Sequence, residues 1–402
     1  MPMTTKNLIA YFGPDGDDPA VRRRVAQWRH GGFAVLAFAF SRLHVTASDP
    51  TQCISLGHLS PQSRLARIFS MALACLRLFK LRRRLVGAQI FIARNIDNLL
   101  LALIARWLAA RRAPLIYEVL DINSSCTAED WHGRGLRVLE KWALRHVDLL
   151  VVSSPHFITS YYHERLNYRG RWFLFENKVP KYAGLQRGVA GGGAAAVGRR
   201  PGTPPWRIGW FGYLDDEGSW NVLKSLAERL PDQVEIYVRG LPYTNFDMPR
   251  FLADVARLPN VEYGGGFSNP DDLAEIYGAV DLVWSIDCND LQANSKWLLT
   301  NSVYEAGYLQ KPVLALRNTA VGEFVAAFGF GWCLDDPIEE HLSRFIAELS
   351  VEEYMAKVAH VAGLTAQLFC ETNEIDEVWS LIEQGVGAAA VSLTPHPRVP
   401  AT

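Results

Sequence analysis

The chain has 402 residues, of which 49% are hydrophobic and 21% charged, and its formal net charge is −1. Those proportions exclude a disordered, collagen-like or coiled-coil chain, and the length suits two domains of roughly 180 residues each. Six scattered cysteines form no CxxC pair and no Cys/His spacing for zinc, so buried reduced thiols are expected and neither a metal nor an organic cofactor is implied.

The small net charge hides a strong asymmetry. Residues 1–186 carry 26 Lys and Arg against 13 Asp and Glu, whereas the remainder carries 15 against 29. A basic half points to an anionic surface or substrate. The first apolar run, 7–12, is too short for the core of a secretory signal, and no run reaches the ~18 residues of a membrane span. The longest candidate, 99–110, is interrupted by Arg106. A cytoplasmic protein that lies on the inner face of the plasma membrane without crossing it is expected. Nucleic acid is excluded as a partner, because the basic half lacks an aromatic-rich recognition motif.

In chain order, β-rich runs at 7–12, 33–38, 88–92, 114–119, 148–152 and 172–175 alternate with helical patterns such as 20–29, 97–110 and 133–145. Within this half, 62–85 reads as a basic amphipathic helix. Leu65, Ile68, Phe69, Ala72, Leu73, Leu76 and Phe79 recur at helical spacing, while Arg64, Arg67, Arg77 and Arg82 fall largely off that stripe, with Arg83 and Arg84 beside it. Such a stripe packs on a core or lies on a membrane; the arginine density and the basic half favour the membrane. Arg64, Arg67, Arg82, Arg83 and Arg84 are therefore expected to meet anionic lipid.

Residues 187–205, rich in Gly, Ala and Pro, read as a linker at the point where the charge changes sign. Beyond it, β-rich runs at 207–211, 234–238, 261–263, 282–285 and 313–316 alternate with helices, one of them announced by Asn269, Pro270, Asp271 and Asp272. The tail from 387 lacks pattern. The expected organisation is thus a first α/β domain over 1–186, the linker 187–205, a second α/β domain over 206–386 and a tail over 387–402. Alternating β and α units imply two doubly wound, mostly parallel sheets, with ligands in a cleft at the carboxyl ends of the strands.

The second domain opens on a strand ending in Gly212, where backbone can approach a ligand closely and a following helix can receive phosphate. Further on, 281–316 holds a strand, a polar loop and a helix. Glu305 within that helix could accept both hydroxyls of a ribose. Lys296, with the amides and hydroxyls of Ser295, Thr300, Asn301 and Ser302, supplies charge and donors for a diphosphate. Trp210 and Trp297 are assigned to the cleft. The acidic loops around Asp216 and Asp287 read as solvated loops in preference to metal sites.

Asp281, Asn301, Tyr304, Glu305, Ala306, Lys311, Pro312 and Val313 match the donor-binding pattern of retaining-type GT-B glycosyltransferases (the group 1, or family 4, superfamily) and their bacterial exopolysaccharide relatives. In the first half, Tyr117 to Asp121, Glu140, Asp148, Ser153 and Ser154 resemble the acceptor-domain pattern. The chain as a whole resembles enzymes of succinoglycan-like exopolysaccharide assembly. That resemblance implies a GT-B fold, two Rossmann-like domains facing a cleft, and transfer of a sugar from a nucleotide diphosphate to a lipid-linked oligosaccharide, with UDP-glucose the donor it suggests. Gly212, Arg239, Lys296, Asn301, Tyr304 and Glu305 would hold the nucleotide sugar.

One position departs from the pattern. Retaining relatives carry a glutamate eight residues before the one matched by Glu305, and here that place is Trp297. Either the first carboxylate comes from elsewhere, or the enzyme inverts and takes a base from the first domain. Asp121 is then the leading choice, with Asp15 and Asp18 next. Two other functions fit the plan: a nucleotide-sugar epimerase, and a non-catalytic nucleotide-sugar-binding subunit of a polysaccharide assembly complex.

Overall fold

A computed structural model describes residues 7–41, 53–58, 64–110, 112–188, 202–243 and 246–385. The side chains of Arg64 and Leu65, most of the expected linker (189–201) and the whole of the expected tail lie outside the described residues. Two compact units divide the chain. The first takes Met1–Phe175 together with Asn373–Pro395, and the second takes Glu176–Thr372.

The first unit runs β1 (Leu8–Gly13), α1 (Pro19–His30), β2 (Ala34–Ser41), β3 (Cys53–His58), α2 (Arg64–Leu85), β4 (Ala88–Arg94), α3 (Ile96–Ala109), β5 (Leu115–Val119), α4 (Ser124–Thr127), α5 (Trp131–Leu144), β6 (Leu149–Val152) and β7 (Trp172–Leu174). Its seven strands lie in the order β3-β2-β1-β4-β5-β6-β7, and every neighbouring pair is parallel. Parallel strands are covered on both faces, so they need continuous apolar runs, and those runs are what the sequence shows. Asp18 starts α1, its carboxylate accepting from the Ala20 amide at 2.8 Å with Pro19 next in line.

Strand β5 carries a charge inside the sheet. Glu118 is buried, paired with the buried Arg24 of α1 and accepting from the Tyr11 hydroxyl at 2.8 Å. Removing one partner of such a buried pair costs several kcal/mol, about 3–5, because the other charge is left stranded. Glu140 of α5 is also buried, and the hydroxyls of Tyr117, Tyr161 and Tyr162 donate to it at 3.0, 2.6 and 3.0 Å. Burial raises its carboxyl pKa, while the three tyrosine donors hold it back.

The second unit runs β8 (Trp206–Phe211), α6 (Glu217–Arg229), β9 (Val234–Arg239), α7 (Met248–Arg257), β10 (Val261–Tyr263), α8 (Leu273–Gly278), β11 (Leu282–Trp284), α9 (Asn294–Trp297), α10 (Asn301–Tyr308), β12 (Val313–Leu316), α11 (Ala320–Phe328), β13 (Gly331–Leu334), α12 (Ile338–Glu348) and α13 (Val351–Gly363). Its six strands repeat the doubly wound order, β10-β9-β8-β11-β12-β13, again all parallel. Backbone approach is closest where Gly240 passes Gly212. A Cβ on Gly240 would stand 1.8 Å from the Gly212 carbonyl oxygen, and Gly212 itself adopts φ +136°. Both positions require glycine.

The last helix, α14 (Glu374–Glu383), corrects the expected second domain of 206–386, because it belongs to the first unit. Its buried Val378 and Leu381 join the cluster formed by Val21, Val25 and Trp28 of α1 and by strands of the first sheet. Glu176–Gly188 likewise belongs with the second unit, ahead of the expected boundary. Helix α8 begins later than the sequence signals suggest: the Asp272 carboxylate accepts from the Ser268 amide at 2.7 Å, and the helix starts at Leu273.

Helix α2 also differs from a simple amphipathic reading, being apolar on two sides. Ala74, Leu78 and Leu85 are buried, while Ile68, Phe69, Leu76 and Phe79 of the expected stripe are exposed. No described helix is long and apolar enough to cross a membrane.

Candidate functional site

In the second unit the polar groups gather at the carboxyl ends of β11 and β12. Ser285, just past β11, shares a hydrogen bond of 2.8 Å with the Ser302 hydroxyl, and Ser302 donates on to Thr300 at 3.0 Å. Thr300 is the residue before α10, and Thr319 is the residue before α11. Ser285, Asp287, Ser295, Thr300 and Thr319 line one narrow recess. Two helix amino ends and a set of hydroxyls therefore meet in one place; the recess as it stands is too narrow for a water molecule, and the Thr319 hydroxyl donates to the Leu316 carbonyl at 2.7 Å. Lys296 follows Ser295 on α9; its ammonium is exposed and forms no ion pair with a described residue.

Glu305 lies one turn further along α10 and is 6% exposed. Its two carboxylate oxygens are oriented from opposite sides. The Tyr277 hydroxyl donates to Oε2 at 2.7 Å and the Asn269 amide to Oε1 at 2.8 Å. Tyr277 is fully buried, and burial together with the Glu305 charge raises its pKa well above the usual phenol value, so it remains a donor. Each oxygen keeps a second lone pair for a further hydroxyl. Asn269 was expected to cap a helix; it orients Glu305 instead.

The other expected donor residues divide. Asn301 opens α10 and is exposed. Gly212 ends β8 with open space where a Cβ would stand. Arg239 is already engaged: it donates to the carbonyls of Gly265 and Gly266 at 3.2 and 2.7 Å and to the Tyr237 hydroxyl at 3.0 Å. Its visible work is to hold the loop after β10. Tyr304 is fully buried and donates at 2.9 Å to Glu176, which Lys178 also neutralises at 3.3 Å. Its position is that of a group packed behind α10 and away from solvent.

Trp210 and Trp297 are both 6% exposed, as Glu305 is, and Trp210 packs against Phe246. Apolar surface of that size is buried by the hydrophobic effect unless something recruits it. Asp216 is no solvated acid either. It caps α6 through the Ser219 amide at 3.0 Å and clamps the Cys288 amide at 2.7 Å from 4% exposure.

In the first unit the carboxyl ends of β4 and β5 bring three charges together. Arg94 ends β4, is 7% exposed, and places Nη1 3.7 Å from Oδ2 of Asp18, the cap of α1. Among the described residues that Nη1 has no hydrogen-bond partner. Asp121, just past β5, reaches solvent, yet the protein packed around it raises its carboxyl above the ordinary value; Arg94 opposes the rise and Asp18 adds to it. Asp18 and Asp121, expected as separate alternatives, therefore belong to one electrostatic group. A broad depression lined by Ala88, Gln89, Arg112 and Pro114 lies at the other, amino ends of β4 and β5, away from these charges.

Of the expected lipid-facing residues, Arg67, Arg83 and Arg84 are exposed, although Arg67 is paired with Asp97 of α3. Arg82 is partly buried and lies over the Phe79 ring at 4.2 Å. Arg94, Asn269, Tyr277 and Thr319 were missed. Only Arg94 had a readable signal, a charge at the end of an otherwise apolar strand.

No family model matches the chain. It is 33% identical over 350 residues to the succinoglycan biosynthesis protein ExoL of Rhizobium meliloti (strain 1021), covering 86% of this chain and 85% of that protein. Among solved structures, sucrose-phosphate synthase from Thermosynechococcus elongatus matches with a TM-score of 0.70 and 15% identity, over 94% of this chain and 99% of that one. Anabaena HepE in complex with UDP and glucose matches with a TM-score of 0.69 and 15% identity, over 94% of this chain and 100% of that one. These likenesses place both doubly wound units within the GT-B fold.

Proposed function

This chain belongs to the family of the succinoglycan biosynthesis protein ExoL and has the GT-B fold, and from those premises we propose that it is a glycosyltransferase of exopolysaccharide assembly. The donor is a nucleoside diphosphate sugar, UDP-glucose being the first to test, since HepE is seen with UDP and glucose. The acceptor is a lipid-linked oligosaccharide presented at an anionic membrane surface. The observation that carries this reading is Glu305, a buried carboxylate oriented by Tyr277 and Asn269 beside the recess where α10 and α11 begin.

Each part of the donor then has a partner of matching chemistry. Ribose hydroxyls donate to the free lone pairs of Glu305. Diphosphate oxygens accept from the amino ends of α10 and α11, from Asn301, and from the exposed Lys296, and the close backbone at Gly212 leaves room for the sugar phosphate. Arg239 and Tyr304 support this site through the loop after β10 and the back of α10.

The reaction is an inverting displacement. The acceptor hydroxyl oxygen attacks the anomeric carbon, its proton passes to Asp121, and the bond to the nucleotide diphosphate breaks with both electrons leaving on phosphate. A carboxyl with a raised pKa suits a proton acceptor whose task ends in its protonated form. Removal of a positioned base typically costs about 10²–10⁴ in rate.

Calorimetry with UDP and UDP-glucose tests the donor half. Binding should be present in the wild type and weakened about 1–3 kcal/mol by Glu305→Gln, the range for one hydrogen bond to a charged group. Equal affinity of the two proteins would remove Glu305 from the site.

A further inference from the structure

The outer faces of α2, α3 and α5 carry large apolar side chains in solvent. Phe69 and Leu76 of α2 are 65% and 62% exposed, Trp107 of α3 is 62% exposed, and Trp131 and Val138 of α5 are 80% and 70% exposed. The three helices are neighbours, with α3 touching both α2 and α5. The apolar area is therefore not scattered singly over the surface, as ordinary exposed leucines are.

Charge accompanies it with one sign. Arg77, Lys80, Arg83 and Arg84 are exposed on α2, and Arg134 and Lys141 on α5. The acids of these helices are otherwise occupied. Asp97 is paired with Arg67, and Glu140 is buried beneath three tyrosine hydroxyls. Tryptophan and phenylalanine flanked by arginine and lysine, with no unpaired carboxylate on the three helices, is the composition of an element that sits at a lipid interface.

We propose that this three-helix face enters one leaflet of an anionic membrane, its aromatic side chains below the headgroups and its cations among the lipid phosphates. The inference rests on the reading of a lipid-linked acceptor and extends the contact from α2 to α3 and α5, residues that no expectation from the sequence assigned. Self-association through the same face is disfavoured by charge, because a two-fold contact would set each cationic helix against its own copy. An anionic bilayer matches both the sign of the charge and the apolar area.

Vesicle flotation of the full chain, with and without 30 mol% phosphatidylglycerol (about a third anionic lipid, a composition that gives the surface potential basic helices respond to), tests this. A Trp131→Ser/Trp142→Ser double variant changes two side chains of α5 that stand in solvent, 80% and 47% exposed. It should lower partition into the anionic vesicles by about tenfold or more, since interfacial affinity scales with apolar area buried. Bromine-labelled acyl chains should quench part of the tryptophan emission in the wild type and less of it in the variant, where Trp107 is still exposed on the face. UDP calorimetry on the same samples separates this inference from the enzymatic reading: nucleotide binding should be equal in both proteins. Partition unchanged by the double variant, or a dimer that the variant converts to monomer, would overturn the proposal. Absent UDP binding with intact partition would instead overturn the donor site.

Discussion

The two units are built on one template and spend it differently. Both wind parallel strands outward from a central first strand, β1 in one and β8 in the other, and both place their polar groups at the carboxyl ends of the strands. In the second unit that end is furnished with hydroxyls, helix amino ends and two buried carboxylates, Glu305 and Asp216, held by neutral donors, with Asp287 lining the recess. In the first it is furnished with full charges, Asp18, Arg94 and Asp121. Neutral, preset donors suit the binding of a polyanion, whereas a carboxylate and cation in balance suit the movement of a proton. The lesson is that a shared topology fixes where a site lies while the loop residues decide its chemistry.

The sharpest way to break this division of labour is at Asp121. Asp121→Asn keeps the shape and removes the proton acceptor, so turnover should fall about 10²–10⁴ with UDP affinity unchanged in calorimetry. A parallel loss of UDP affinity would show that the two chemistries are not divided between the units.

Arg94 should have a smaller effect on the first unit. Arg94 opposes the rise in the Asp121 pKa. With Arg94→Gln that opposition is gone, the carboxyl pKa climbs further, and the base stays protonated to a higher pH. The acid limb of the pH–rate profile should therefore move upward, with Arg94→Lys restoring much of its position. A uniform loss of rate at all pH values, with the limb unmoved, would mark Arg94 as a purely structural group.

The smallest effect concerns the second unit. Lys296 is exposed, so solvent screens its charge, and Lys296→Gln should weaken UDP binding by about 1 kcal/mol or less, more at low salt than at high salt. A salt-independent loss would contradict a simple electrostatic contact to the diphosphate.

How much of this was readable in the chain follows from what each feature depends on. The buried parallel strands β1 and β12 are continuous apolar runs, and β5 and β8 are apolar but for Glu118 and Arg207, so they stood out for that reason. Edge strands β3 and β13 were passed over, because most residues of Cys53–His58 and Gly331–Leu334 are only partly buried. Glu305 is singled out by its motif, but its hydrogen-bond partners Tyr277 and Asn269 lie 28 and 36 residues away and converge only in the folded unit. Helix α2 shows the limit of periodicity. Its stripe was real, yet a second apolar side, Ala74, Leu78 and Leu85, is the one that packs inward. Only burial tells which of two apolar faces meets the sheet. The return of α14 to the first unit was likewise invisible, since local pattern states that a helix is amphipathic and not which surface covers its apolar side.

In the proposed reaction the nucleotide is bound by the second unit and the proton is taken by Asp121 of the first, and Trp297, eight residues before Glu305, is buried. That reaction is a single displacement at the anomeric carbon, and NMR of the isolated product measures it directly through the anomeric proton coupling. An α-linked nucleotide sugar should give a β-linked product. An α-linked product would contradict the inverting mechanism and remove the main reason for placing the base at Asp121.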